Sequence, residues 1–304
     1  IKYFSFHIGA VLIFGISNLI FILKLKNDYK NKRYDFISIL TILSFLFINI
    51  FFYRISEHGT DRSAQILILV LFIEVLSLYR NKLNLSSFFS KIFILLGLII
   101  TLKAFYVLYL LILLPIFIEI RKEKIAKIFK NFFSNIYFYI FILIGFSLIA
   151  INIFNSGCVL YPVSFTCFKN LEWSLIHEAN FMNNWYELWS KAGASPNYRV
   201  DDPQNYIKGF NWLPNWIDLY FFNKVSDFIA GLIFLLSIVF FVFYTKNKHE
   251  ISFSQKNILW TYFIILILFF EWFYNHPSLR YGGYQLICLL LFLPVSNILS
   301  KRYH

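Results

Sequence analysis

Charge is scarce in this chain. Only 14% of its 304 residues are Asp, Glu, Lys or Arg, while 59% are hydrophobic. A soluble domain needs a charged surface, so this composition argues against one. Acidic residues are the scarcer sign, 16 against 28 basic, and the net charge is +12. Such an excess would suit a nucleic-acid binder, yet the Lys and Arg residues fall in short patches between apolar runs and line no single hydrophilic face. No nucleic-acid partner is expected. Cysteine is limited to three residues, and no His or further Cys stands near them at zinc spacing. The single methionine is Met182, so the chain opens at Ile1 without an initiator and reads as a fragment or a processed product. No small-residue cleavage site follows a charged leader, so the first apolar run is not a signal peptide. Internal repeats and disordered linkers are absent as well, and 1–304 reads as one polytopic membrane domain.

Apolar runs close to the roughly 20 residues needed to cross a hydrocarbon core make up most of the chain. The spacing predicts spans over 4–23, 36–53, 64–79, 136–154, 228–244, 258–273 and 284–300, about seven transmembrane helices in an all-α integral membrane protein. Basic patches decide their direction, because cytoplasmic loops collect Lys and Arg. Lys24, Lys26, Lys30, Lys32 and Arg33 follow the first span, and most other basic residues lie in loops that the same alternation places inside. The run 92–120 is longer than one crossing requires, with about 29 residues or roughly 43 Å of helix. Lys91 and Arg80 precede it and Arg121, Lys122 and Lys124 follow it, so both ends belong on one side. We therefore expect a re-entrant hairpin of two short helices, 92–102 and 104–120, with Thr101 and Lys103 near its apex.

The one long interval that cannot sit in a bilayer is 155–227. It carries Trp173, Trp185, Trp189, Trp212 and Trp216 among His177, Glu178, Arg199, Asp201 and Asp202. Alternation of the spans places it outside the cytoplasm as a Trp-rich cap. Trp185, Trp189 and Trp212 offer flat faces for stacking on sugar rings, although Trp also favours small cores and the headgroup layer. Trp185 and Trp189 are four apart and share a face if helical. Cys158 and Cys167 open the segment, and an oxidising compartment makes them a candidate disulfide. Asp201 with Asp202 is a weak metal signal without an accompanying His.

Three further places concentrate ionisable groups. The short external loop 54–63 holds Glu57, His58, Asp61 and Arg62 around Gly59. There a carboxylate can deprotonate a hydroxyl and an arginine can neutralise a phosphate, although a solvated turn has the same composition. Lys103 lies within apolar sequence, where a charge is costly and tends to face a cavity or an anionic ligand, unless it snorkels. The bend 271–284 brings His276 and Arg280 together with Tyr274, Tyr281 and Tyr284. The planar fork of Arg280 suits a phosphate, while the tyrosines also suit an interfacial belt.

Taken together, the Thr-Leu-Lys-Ala start of the 101–115 run, the external acidic loop and the large segment after 155–162 resemble the GT-C class of polytopic glycosyltransferases. Related bacterial surface-polysaccharide membrane proteins share this arrangement. The resemblance implies transfer of a sugar from a polyprenyl-phosphate-linked donor to a glycan or lipid acceptor at the outer face of the bacterial cytoplasmic membrane. Glu57 or Asp61 would be the base or a metal and substrate ligand, a divalent ion being one option. Arg62, Lys103, Arg280 and His276 would contact substrate or phosphate. The class usually places its principal catalytic acid in the first external loop, so that residue is expected upstream of Ile1. An O-antigen-type polysaccharide polymerase or ligase is the nearest alternative reading, and a polytopic transporter or flippase is the alternative of another kind.

Overall fold

A computed structural model describes residues 3–53, 59–80, 85–120, 130–195, 199–244 and 255–302. These residues are helical apart from turns and one isolated bridge between Cys158 and Cys167. Five helices among them are long and apolar enough to cross a membrane. The chain is an all-α, multi-pass membrane protein.

The helices run in order as α1 (Tyr3–Lys30), α2 (Phe36–Phe51), α3 (Asp61–Arg80) and α4 (Leu85–Leu102). A 3-10 segment (Ala104–Ile112) then leads into α5 (Leu113–Ile120), followed by α6 (Ile136–Ser156). Asp35 starts α2 by accepting bonds from the amides of Ile37 and Ser38, and Asn135 starts α6 in the same way at Tyr137. Gly157 ends α6 in the left-handed region at φ 68°, where a Cβ would lie 2.7 Å from the Cα of Ser174. Glycine is required there both by the turn and by the close approach of the following loop.

α3 is the axis of the bundle. It packs on α1, α2, α4 and α12 (Gly283–Ser300), and Ile66, Ile68, Leu69, Leu71, Phe72, Val75 and Leu76 are all buried. Its apolar residues therefore do not form a stripe, because every side of the helix meets another. α6 stands at the other extreme, with none of its spanning window buried inside the protein. One polar knot binds α1, α3 and α4: Glu74 receives Lys24 at 2.9 Å and Lys91 at 3.0 Å. Lys24 lies on α1 because that helix runs on to Lys30, beyond the span read as 4–23.

The expected hairpin is longer than two short helices. Its first arm, α4, begins at Leu85 rather than at 92 and rises about 27 Å at 1.5 Å per residue. The second arm, a 3-10 segment plus α5, covers roughly 30 Å. Ser86 and Ser87 interrupt the apolar run on its N-terminal side, and with Leu85 they form the first turn of α4. Chain reversal occupies a single extended residue, Lys103, at φ −156° and ψ 119°.

The polar segment folds on the end of the bundle that carries Lys103. It contains α7 (Ile176–Lys191) and α8 (Pro203–Ile207), the latter capped by Asp202, whose carboxylate accepts the amide of Asn205. Asp202 thus has a structural task as a helix cap. A disulfide joins Cys158 and Cys167. α9 (Leu213–Trp216), a π-helix (Ile217–Val225) and α10 (Ser226–Phe243) form one continuous 31-residue run. That run starts well inside the interval read as cap, since Asn215, Asp218, Asn223 and Lys224 masked its apolar character. α11 (Gln255–Asn275) and α12 complete the fold.

Candidate functional site

Asp61 is the first residue of α3, where a carboxylate is favoured by the positive end of the helix dipole. Lys103 arrives from the turn after α4, held close by Thr60, whose Oγ1 donates to the carbonyl of Leu102 at 3.0 Å. Arg280 arrives from the 3-10 turn Leu279–Tyr281 between α11 and α12. Lys103 Nζ pairs with one oxygen of Asp61, and Arg280 Nε donates to the other at 2.5 Å. The carboxylate is sealed, with 2% of its side chain exposed, whereas 30% of Lys103 and 40% of Arg280 remain open. One buried anion thus aims two partly open cations, and the cluster carries a net positive charge that an anionic ligand would balance.

The loop that supplies Arg280 is fixed by side chains from four elements, α9, the π-helix, α11 and α3. Trp216 Nε1 donates to the carbonyl of Pro277 at 2.9 Å, and Trp272 Nε1 donates to that of Ser278 at 2.9 Å. The Tyr220 hydroxyl accepts the amide of Leu279 at 2.9 Å and lies 3.3 Å from Ser278 Oγ. Gln65, one turn into α3, donates to the carbonyl of Arg280 at 2.8 Å. Gly282, at φ 120°, lets the chain turn back into α12.

Aromatic rings cover the cations. Lys103 Nζ sits 4.7 Å from the Tyr281 ring centroid, within cation–π range. Trp189 and Tyr186, both on α7, meet the same ring edge-on at 5.6 and 6.2 Å. Trp185 stacks on Trp189 at 6.3 Å and stays partly open. Burial pushes the Tyr281 hydroxyl above its ordinary pKa. His276 packs between Phe105 and Tyr281, and its Nδ1 is buried with no hydrogen-bond partner among the described residues. Burial first, then the positive charges of Lys191 and Lys103, lower its pKa to about 4, so the ring is neutral near pH 7.

The structure therefore brings together Asp61, Lys103, Arg280 and His276, with Trp185 and Trp189 in the covering layer. Arg62 is buried, with its guanidinium 5.9 Å from the ring centroid of Phe52. Trp212 does not offer a face for stacking: it is wholly buried, and its Nε1 donates to the carbonyl of Gly209. Its position at the head of the 31-residue run, beneath Lys191, explains the burial. Glu57 lies outside the described residues.

Lys191 escaped the sequence reading. It is a fully buried lysine that meets Glu187 Oε1 at 2.5 Å, the carbonyl of Ile207 at 3.2 Å and the faces of Trp212 and Tyr274. Its spacing of four from Glu187 was the available signal, and that spacing ordinarily marks an exposed helix pair. Among the described residues no three His, Cys, Asp or Glu side chains gather to hold a metal ion. Asp61, placed between two cations, is a poor donor for one.

Helices of membrane-spanning length, with a charged cluster where their ends meet a folded cap, define a multi-pass membrane protein with a polar site at one end of its bundle. The chain matches the family described as a domain of unknown function, DUF8201, over residues 1–287 and belongs to it. No curated protein and no solved structure matches the chain.

Proposed function

We propose that this protein is a membrane glycosyltransferase that moves a sugar from a polyprenyl-phosphate-linked donor to a glycan or lipid acceptor. In this reading the cap and the Asp61 end of the bundle face outward across a bacterial cytoplasmic membrane. The arrangement is GT-C-like, with the hairpin around Lys103 adding two crossings to the seven other spans.

The observation that carries the reading is the Asp61–Lys103–Arg280 cluster, in which a sealed carboxylate orients two half-open cations beneath aromatic rings. Lys103 and Arg280 take the lipid phosphate. The acceptor hydroxyl oxygen bonds to the anomeric carbon as the bond from that carbon to the phosphate oxygen breaks, and the phosphate leaves with the electron pair. The hydroxyl proton passes to a carboxylate, either Glu57 or an Asp61 that the phosphate has replaced on its cations. Tyr281, Trp189 and Trp185 supply apolar faces beside the sugar.

The test is transfer of labelled sugar from a panel of polyprenyl-phosphate donors to membrane acceptors. Product should require donor and protein and should be lost in Asp61→Asn and Lys103→Ala proteins that remain folded. If no donor yields product, transfer of a single sugar is rejected; counterflow of a lipid-linked glycan in sealed vesicles would then favour transport.

A further inference from the structure

α6 has the length of one membrane crossing, and the chain doubles back beside its end. Its 21 residues rise about 31 Å, the thickness of a hydrocarbon core, and none of its spanning window is buried inside the protein. The last turn of α6 therefore meets lipid at the edge of that core. Gly157 reverses the chain there, and the disulfide between Cys158 and Cys167 closes a hairpin in which the amide of Phe168 donates to the carbonyl of Gly157 at 2.8 Å. The hairpin lies alongside the helix and not beyond it: Asn152 Nδ2, from a residue about 6 Å inside the helix end, donates to the carbonyl of Val159 at 3.2 Å. Trp173 returns to the same level, where its Nε1 donates to the carbonyl of Ile153 at 3.0 Å. From Gly157 to Phe168 the chain carries no charged residue. Phe165, on the 3-10 turn Ser164–Thr166, is 89% exposed, and Phe154, Phe168 and Trp173 are open as well.

We propose that this disulfide-closed hairpin is an interfacial anchor, seated among bilayer phospholipids where headgroups meet acyl chains. Its depth decides the occupant. The hydrogen bonds from Asn152 and Trp173 hold the segment level with the last turn of a helix that lipid surrounds, so the lipid that covers that turn also covers the hairpin. Its chemistry fits that layer. An uncharged segment with open aromatic rings is costly in water and favoured at the membrane surface, where polar backbone still finds partners. Trp173 has the divided character the layer selects, its N–H satisfied by Ile153 while its ring stays open. Charge resumes only at Lys169 and Glu172, both exposed. α7, which carries Trp185 and Trp189, packs against the same 3-10 turn, so the anchor ties the layer over Tyr281 to the bilayer. None of this rests on the transferase reading, because the hairpin contributes no group to the Asp61 cluster.

The experiment replaces Phe165 with photoreactive benzoyl-phenylalanine in the whole chain, held in phosphatidylcholine nanodiscs, and reads phospholipid adducts after irradiation by intact mass. The same probe at Phe146, exposed midway along α6, sets the yield for a lipid-facing position, and at Asp201, exposed in the cap, the yield for a water-facing one. Adduct at 165 should approach the yield at 146 and exceed that at 201 by about tenfold. If the protein with the probe at 165 fails to fold, the probe at Phe168 serves, with the same result expected. A yield at the hairpin no higher than at 201 would overturn the proposal. Cross-links from the hairpin to a second copy of the chain in place of lipid would also overturn it and assign this surface to a dimer.

Discussion

Arg280 and Asp61 are 219 positions apart in the chain, yet the Nε of one lies 2.5 Å from the Oδ2 of the other. This contact joins the turn between α11 and α12 to the start of the bundle's central helix. Gln65 reinforces it from the same helix by holding the carbonyl of Arg280. Lys103 completes the cluster from a third element.

The three charges should behave as one unit. Asp61→Asn leaves two cations facing each other and Arg280→Gln leaves the carboxylate with Lys103 alone, so each should destabilise by about 1–3 kcal/mol. The double variant should cost less than the sum by about 0.5–3 kcal/mol. Unfolding of the single and double variants in nanodiscs measures this, and strict additivity would show that the contact carries no coupling.

Tyr220→Phe tests the hold on the Arg280 loop without altering shape. The loss of one hydroxyl strips the buried amide of Leu279 of its acceptor and Ser278 of its neighbour. We expect a cost of about 1–3 kcal/mol and faster hydrogen exchange at 278–280 than in the surrounding helices. An unchanged exchange pattern would mean that the tryptophans alone hold the loop.

The pH dependence of stability should carry the signature of His276. Its pKa of about 4 in the folded protein lies below the ordinary 6.5, so the unfolded chain binds the extra proton first as pH falls. Stability from this group is complete above pH 6.5 and is lost progressively down to about pH 4. At pH 5 the loss is about 2 kcal/mol. Unfolding at pH 7.5 and pH 5, compared between the native protein and His276→Gln, isolates the effect, because other groups titrate alike in both. A native protein no more acid-sensitive than the variant would show that His276 is solvated.

Gly283 should not tolerate a side chain. A Cβ there would run into the ring of Trp272, which in turn holds Ser278. Gly283→Ala is expected to cost about 1–3 kcal/mol. The paired Gly283→Ala, Trp272→Phe protein should recover little, because the smaller ring relieves the clash but gives up the hydrogen bond. Thermal unfolding of the three variants distinguishes these contributions.

Reduction of Cys158–Cys167 should loosen the cap and spare the bundle. The bond joins residues nine apart, and a loop of that size contributes about 2–3 kcal/mol in the chain-entropy account. Limited proteolysis after reduction should cut within 157–175 while the long apolar helices stay intact.

The helical membrane architecture was legible in composition and run length, because a bilayer-length helix needs a bilayer-length apolar segment and little else. The polar cap and the turn at Lys103 were legible for the same reason, since charge interrupts such segments. Sequence also singled out Asp61, Lys103, Arg280 and His276, each as an ionisable group where one is costly or conspicuous. It did not tell Trp212, buried at the head of a span, from Trp189, which meets Tyr281. It also did not reveal Lys191 as a core residue. Those distinctions depend on neighbours distant in the chain. An indole serves equally well as core, clasp or platform, and a lysine with a partner four residues away looks the same buried or exposed. What is chemically expensive can be read from one residue at a time. Which partners offset that expense is decided only when separate helix ends meet, and here that meeting places two cations on one carboxylate.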